Sequence, residues 1–96
     1  MAANFDFYNI TYTKAHSGNQ LVIRGDVQNK SSRGYNAVAI RVVLFNKNIP
    51  VINEVIVING LPSGATKTFE KYMEEINFDQ IGKMITRHEI FTEGAY

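Results

Sequence analysis

Apolar and polar positions alternate with a period of two along most of this chain. Leu21, Ile23, Gly25 and Val27 share one face of the segment Gln20 to Asn29, and Arg24, Asp26 and Gln28 share the other. Val38, Ile40, Val42 and Leu44 share one face of Tyr35 to Asn46. This alternation predicts two strands, each with one buried side. The polar stretch Lys30-Ser-Ser-Arg-Gly34 between them is a turn.

The flanking segments extend the same pattern. Phe5 to Lys14 reads as a first strand, with Phe5 and Phe7 on one face and Tyr8, Ile10 and Tyr12 on the other. That change of phase predicts a bulge or kink, by which one strand can serve both sheets of a sandwich. A tight hairpin at Asn46-Lys-Asn48 leads into Ile49 to Ile58, where Pro50 belongs at a strand start or an edge because it has no backbone donor. Asn59-Gly-Leu-Pro-Ser-Gly64 is a loop, and Ala65 to Met73 a strand anchored in the core by Phe69. Asn77 to Gly82 is either a helical turn capped by Asn77 and ended by Gly82, or a strand and a bend. Lys83 to Thr92 is the last strand, with Ile85 and Phe91 on one face and Met84, His88 and Ile90 on the other; Glu93 to Tyr96 is expected to fray. Strands at about ten-residue spacing, without a long helix, predict an all-β, immunoglobulin-like sandwich of about seven antiparallel strands. Residues 1–96 are read as a single such domain.

Composition narrows the function classes. Ten basic side chains against nine acidic ones give a net charge of +1, and the charges are interspersed, so nucleic acid is not an expected partner. There is no cysteine, which removes disulfides, thiolate catalysis and cysteine-based metal sites. Apolar runs of about four residues fall far short of the roughly 20 a membrane helix needs, so direct membrane insertion by this segment is not expected. The first residues, Met1-Ala-Ala-Asn-Phe-Asp6, lack the basic and apolar regions of a signal peptide.

At Gly25-Asp-Val-Gln-Asn-Lys-Ser31 the chain resembles a family of small immunoglobulin-like domains, the FxLYD domains and their late-embryogenesis-abundant relatives. Their signature positions fall here on Val42-Val-Leu-Phe-Asn46, which keeps the leucine. Their loop falls on Leu61-Pro-Ser-Gly64, and their following phenylalanine on Phe69. The resemblance covers about Leu21 to Phe69. It implies the sandwich fold, no catalytic residues, and an accessory or binding role in an exported or cell-surface microbial protein. The residues agree by their own chemistry: Gly25 makes room for a close neighbour within a strand, and Asn29 can bond the backbone of its own turn.

Candidate chemistry is sparse. His16 falls in a turn and His88 in the last strand, and alternation points Arg87 and Glu89 away from His88. A small ligand-binding or hydrolytic site would have to use His88 with Glu89 or Asp79. The acidic residues Glu74, Glu75 and Asp79 lack the register of a calcium loop, so no metal and no cofactor is expected. Asn9-Ile-Thr11 and Asn29-Lys-Ser31 match the N-glycosylation acceptor pattern. The informative feature is an apolar surplus. Ala37, Ala39, Val43 and Phe45 lie opposite the inward set of their strand, interrupted by Arg41, and Val55-Ile-Val-Ile58 is apolar on both faces. Either the C-terminal segment or the loop at Phe78 covers this surplus, or it is a surface for a protein partner or for self-association. In the second case the expected contact residues are Arg41, Val43, Phe45, Val55 and Val57. The remaining alternative is a passive spacer with a polar exterior.

Overall fold

The computed structural model describes residues 4–96 and contains six strands. They are β1 (Phe5–Lys14), β2 (Gln20–Asn29), β3 (Tyr35–Asn46), β4 (Ile49–Leu61), β5 (Thr66–Asn77) and β6 (Arg87–Ala95). A 3₁₀ turn, η1 (Gly82–Met84), precedes β6. All pairings are antiparallel, in two three-stranded sheets of order β1-β2-β5 and β4-β3-β6. The chain is thus an all-β sandwich, with six strands where the sequence spacing predicts about seven.

The predicted inward rows meet between the sheets. Leu21, Ile23 and Val27 from β2 are buried against Val38, Ile40, Val42 and Leu44 from β3. Ile52, Ile56, Ile58 and Leu61 from β4, with Phe69 and Met73 from β5, complete the buried cluster. Gly25 is required in this layer: a Cβ there would stand 2.7 Å from the Phe69 ring and closer still to Ile10. The two-sided apolar run of β4 resolves with Ile56 and Ile58 inward and Val55 and Val57 outward.

The phase change in β1 is a bulge between Tyr8 and Thr11, with Asn9 in the left-handed region at φ 54°. It does not carry the strand to the second sheet. Phe5, Phe7, Ile10 and Tyr12 all pack on the core, so the bulge restores one inward face after a slip in register. The Asn77 region also departs from a simple alternative: β5 runs on to Asn77, whose Oδ1 then accepts the Asp79 and Gln80 N–H groups. The 3₁₀ turn begins at Gly82 instead of ending there. The C-terminal residues do not fray. Glu93 to Ala95 continue β6, and the Tyr96 backbone exchanges bonds with Asn36 and Ala37.

The sheets are held in alignment chiefly at one end. Two connections cross between them there, β2 to β3 and β4 to β5, and Asn29 belongs to both. Its side chain is fully buried. Nδ2 donates to the carbonyls of Arg33 (2.9 Å) and Leu61 (3.0 Å), while Oδ1 accepts from Ser31 N (2.9 Å) and Ser31 Oγ (2.6 Å). Its backbone bonds Ala65 and Gly64, the latter at φ 78°, where a side chain would be strained. Every polar atom of Asn29 is satisfied, so its removal leaves the buried Leu61 carbonyl without this partner and also unpairs the part-buried Arg33 carbonyl and Ser31 N–H. We expect Asn29→Leu to destabilise the fold by about 2–4 kcal/mol, because unpaired buried polar groups cost about 1–3 kcal/mol each. Ser31→Ala, which leaves both Nδ2 bonds in place, should cost much less. Urea unfolding of both variants checks this.

Candidate interaction surface

The outer faces of the two sheets differ in character. On β1-β2-β5 the outward rows carry Thr11, Thr13, Arg24, Asp26, Gln28, Thr66, Thr68 and Glu70. These side chains bond one another: Asn9 Nδ2 and Thr68 Oγ1 donate to Asp26 at 2.8 and 2.6 Å, and Arg24 pairs with Glu70. Tyr8 and Tyr72 are exposed on this face, and the Tyr8 hydroxyl donates to Gln28 at 3.1 Å. A shallow depression of about 60 Å³ lies beside the β1–β2 turn, lined mainly by polar groups including His16, Arg24 and Glu70.

The outer face of β4-β3-β6 is mainly apolar. Register places Val57, Ala39 and Gly94 in one row across the sheet, Val55, Arg41 and Phe91 in the next, then Asn53, Val43 and Glu89. Pro50, Phe45 and Arg87 form the last row. Val57 is 55% exposed and Phe91 46%. Neither expected cover is present among the described residues. The C-terminal segment lies in the sheet as β6, and Phe78 packs against the core.

The five residues singled out from the sequence all lie on this outer face, but they contribute unequally. Val57 is exposed, and Val55, Arg41 and Phe45 are half-buried. Val43 is only 9% exposed, enclosed by its neighbours in the middle strand, so it supports the face without offering much of it. Phe45 is partly covered by the Arg87 guanidinium, 3.9 Å from its ring centroid. Phe91 was not among the five. Its alternation with Glu89 and Glu93 marks an outward residue on a strand, but only the pairing of β6 with β3 shows that it joins Val55 across Arg41.

Arg41 sits at the centre of the face and is pinned on both sides. Its Nε donates to Glu93 and its Nη1 to Asn53. The hydrogen bond from Arg41 holds the Glu93 carboxyl below its ordinary pKa, and the same bond raises that of Arg41. The basic group at the centre of the apolar patch is therefore paired with a carboxylate of its own sheet. Asp26 is likewise lowered, by Thr68 and then Asn9, and Asp6 by Lys30.

The residues of the alternative chemical site do not converge. His88 points to the inner side, edge-on to Tyr12 at 5.7 Å between ring centroids, whereas Glu89 lies on the outer side bonded to Arg87. Asp79 pairs with Lys14 at 3.3 Å. Among the described residues no group of three His, Cys, Asp or Glu side chains is placed to hold a metal ion. Of the two glycosylation patterns, Asn29 is buried and fully bonded, and Asn9 donates to Asp26. Compared with known proteins, the chain matches no family model, no curated protein and no solved structure.

The lowered carboxylates set the acid response. A group whose folded pKa lies below its unfolded value stabilises the fold above the unfolded value, and that contribution is lost as pH falls through the folded one. We therefore expect the melting temperature to fall as pH drops below about 4, the ordinary carboxylate range. Glu93→Gln and Asp26→Asn should each flatten part of that decline in a series of thermal melts from pH 6 to about pH 2.

Proposed function

We propose that this domain is a non-enzymatic protein-interaction module whose contact surface is the outer face of β4-β3-β6, centred on Arg41. The observation that carries this reading is the difference between the two outer faces: one is a bonded polar array, the other an apolar sheet face with no cover among the described residues. Sizeable exposed apolar patches on a folded protein usually mark interaction sites. A passive spacer has no need for one, since both of its faces meet water. The Arg41–Glu93 pair suits a contact, because an already neutralised ion pair is less costly to cover than a lone charge. The partner that fits is a protein presenting an apolar, gently twisted surface, with polar groups at the rim to meet Asn53, Asn59 and Glu89. An accessory role of this kind is also what the resemblance to FxLYD domains implies.

The face can be interrogated by placing a photo-crosslinking amino acid at Val57, and in a second variant at Thr68 on the opposite polar face. In native host cells, position 57 is expected to yield a discrete protein adduct that disappears when Val55→Asp is added. Position 68 should yield none. Equal adducts from both faces, or an adduct at 57 that survives Val55→Asp, would overturn the assignment.

A further inference from the structure

The polar outer face of β1-β2-β5 has one apolar spot on its middle strand. Leu21 and Ile23 face the core, so alternation turns Val22 outward, yet Val22 is only 6% exposed. Its row across the sheet is Thr13, Val22 and Tyr72, and the next row is Thr11, Arg24 and Glu70. The β1–β2 turn is fixed by the Ala15 N–H, which donates to the Gln20 carbonyl at 2.9 Å, and it brings Ala15 and His16 to the end of these rows. Together these groups enclose the depression of about 60 Å³. Val22 and Ala15 are its buried apolar part, and Tyr72 is an exposed aromatic beside them.

The polar groups around this spot keep unused hydrogen-bonding capacity. The Thr11, Thr13 and Tyr72 hydroxyls and the His16 ring are exposed and form no side-chain hydrogen bond with another described residue. Arg24 gives an N–H to one oxygen of Glu70, which leaves the guanidinium further donors and leaves Glu70 a second acceptor oxygen. The charges cancel, since Arg24 pairs with Glu70, and Lys14 with Asp79 at 3.3 Å. A charged ligand therefore meets no net charge of opposite sign. A purely apolar one would cover donors and acceptors without satisfying them, which is costly. The ligand that fits is neutral and carries a small apolar patch ringed by hydroxyls. We propose that this depression binds a neutral pyranose ring, a free sugar or the terminal unit of a glycan. Its C–H face lies against Val22 and Tyr72, and its hydroxyls bond Thr11, Thr13, Arg24 and Glu70. A ligand of about a dozen non-hydrogen atoms at ordinary efficiency binds in roughly the millimolar range, so the site is empty unless sugar is supplied at that level. It lies on the sheet opposite the apolar contact surface and is independent of it.

Titration of the isotopically labelled protein with methyl glucopyranoside, methyl galactopyranoside and methyl mannopyranoside, read by amide chemical shifts, tests this. At least one of the three should give saturable shifts centred on Thr13, Val22 and Tyr72, and inorganic phosphate should leave the same amides unmoved. A trisaccharide of the sugar that binds separates the two sources: tighter binding assigns the end of a glycan, and binding no tighter assigns the free sugar. Tyr72→Ala should weaken binding about tenfold through loss of the aromatic contact. Thr13→Val should weaken it several-fold, and Val57→Asp on the other sheet should bind as the wild type does. If Tyr72→Ala loses the fold, Thr13→Val decides in its place. No saturable shift with any of the sugars, shifts centred away from this row, undiminished binding by the Tyr72 and Thr13 variants, or saturation by phosphate would overturn the proposal.

Discussion

The side-chain amide of Asn29 is the point on which the alignment of the two sheets depends. Two of the three connections that cross the sandwich pass through its hydrogen bonds, with the β2–β3 turn held through Ser31 and Arg33 and the β4–β5 loop through Leu61. The backbone of the same residue bonds Gly64 and Ala65. Without cysteine the domain has no disulfide to hold its layers, and buried apolar surface alone does not fix how one sheet is rotated over the other. A buried amide with all its partners satisfied does so, because any other alignment leaves polar groups unpaired. The third crossing lies at the opposite end, where Asn77 shapes the turn and Phe78 N bonds the Asn19 carbonyl.

Once the sheets are aligned, the outer faces are determined by parity. Inward Val38, Ile40, Val42 and Leu44 leave Ala37, Ala39, Arg41, Val43 and Phe45 outward, and pairing sets Val55 and Val57 beside them. A soluble sandwich can make such a face polar at little cost, as the opposite sheet does with threonine, arginine and aspartate. The composition of the β4-β3-β6 face is therefore not a by-product of core packing. Its charged centre, Arg41, is neutralised by Glu93, which lies on the outer side two residues beyond Phe91, at the bulge of β6.

Much of this was legible in the chain. Strict alternation placed β2 and β3 almost to the residue, and the roles of Gly25, Asn29 and Pro50 followed from backbone chemistry. The outward placement of Arg41, Val43 and Phe45 followed from the same alternation, whereas the run Val55 to Ile58, apolar on both faces, left open whether Val55 and Val57 or Ile56 and Ile58 face outward. What alternation does not carry is register between strands distant in sequence. The burial of Val43, the stacking of Arg87 on Phe45 and the placement of Phe91 beside Arg41 each depend on which residue stands opposite which. The β1 phase change announced a bulge, but one residue of slip looks the same in sequence whether the strand changes sheets or returns to its own core. The C-terminal residues carry little local signal, and their order comes from pairing with Asn36 and Ala37, some 60 positions earlier.

The claim on which the functional account rests is that one outer face is covered in the native setting and the other is not. Hydroxyl-radical footprinting of the domain in intact host cells, compared with the purified protein, measures this residue by residue. Reduced labelling is expected at Val57, Val55 and Phe91, with Tyr72 and Tyr8 on the polar face unchanged. Labelling that is equal in both settings on the β4-β3-β6 face, or protection confined to Tyr8 and Tyr72, would contradict it.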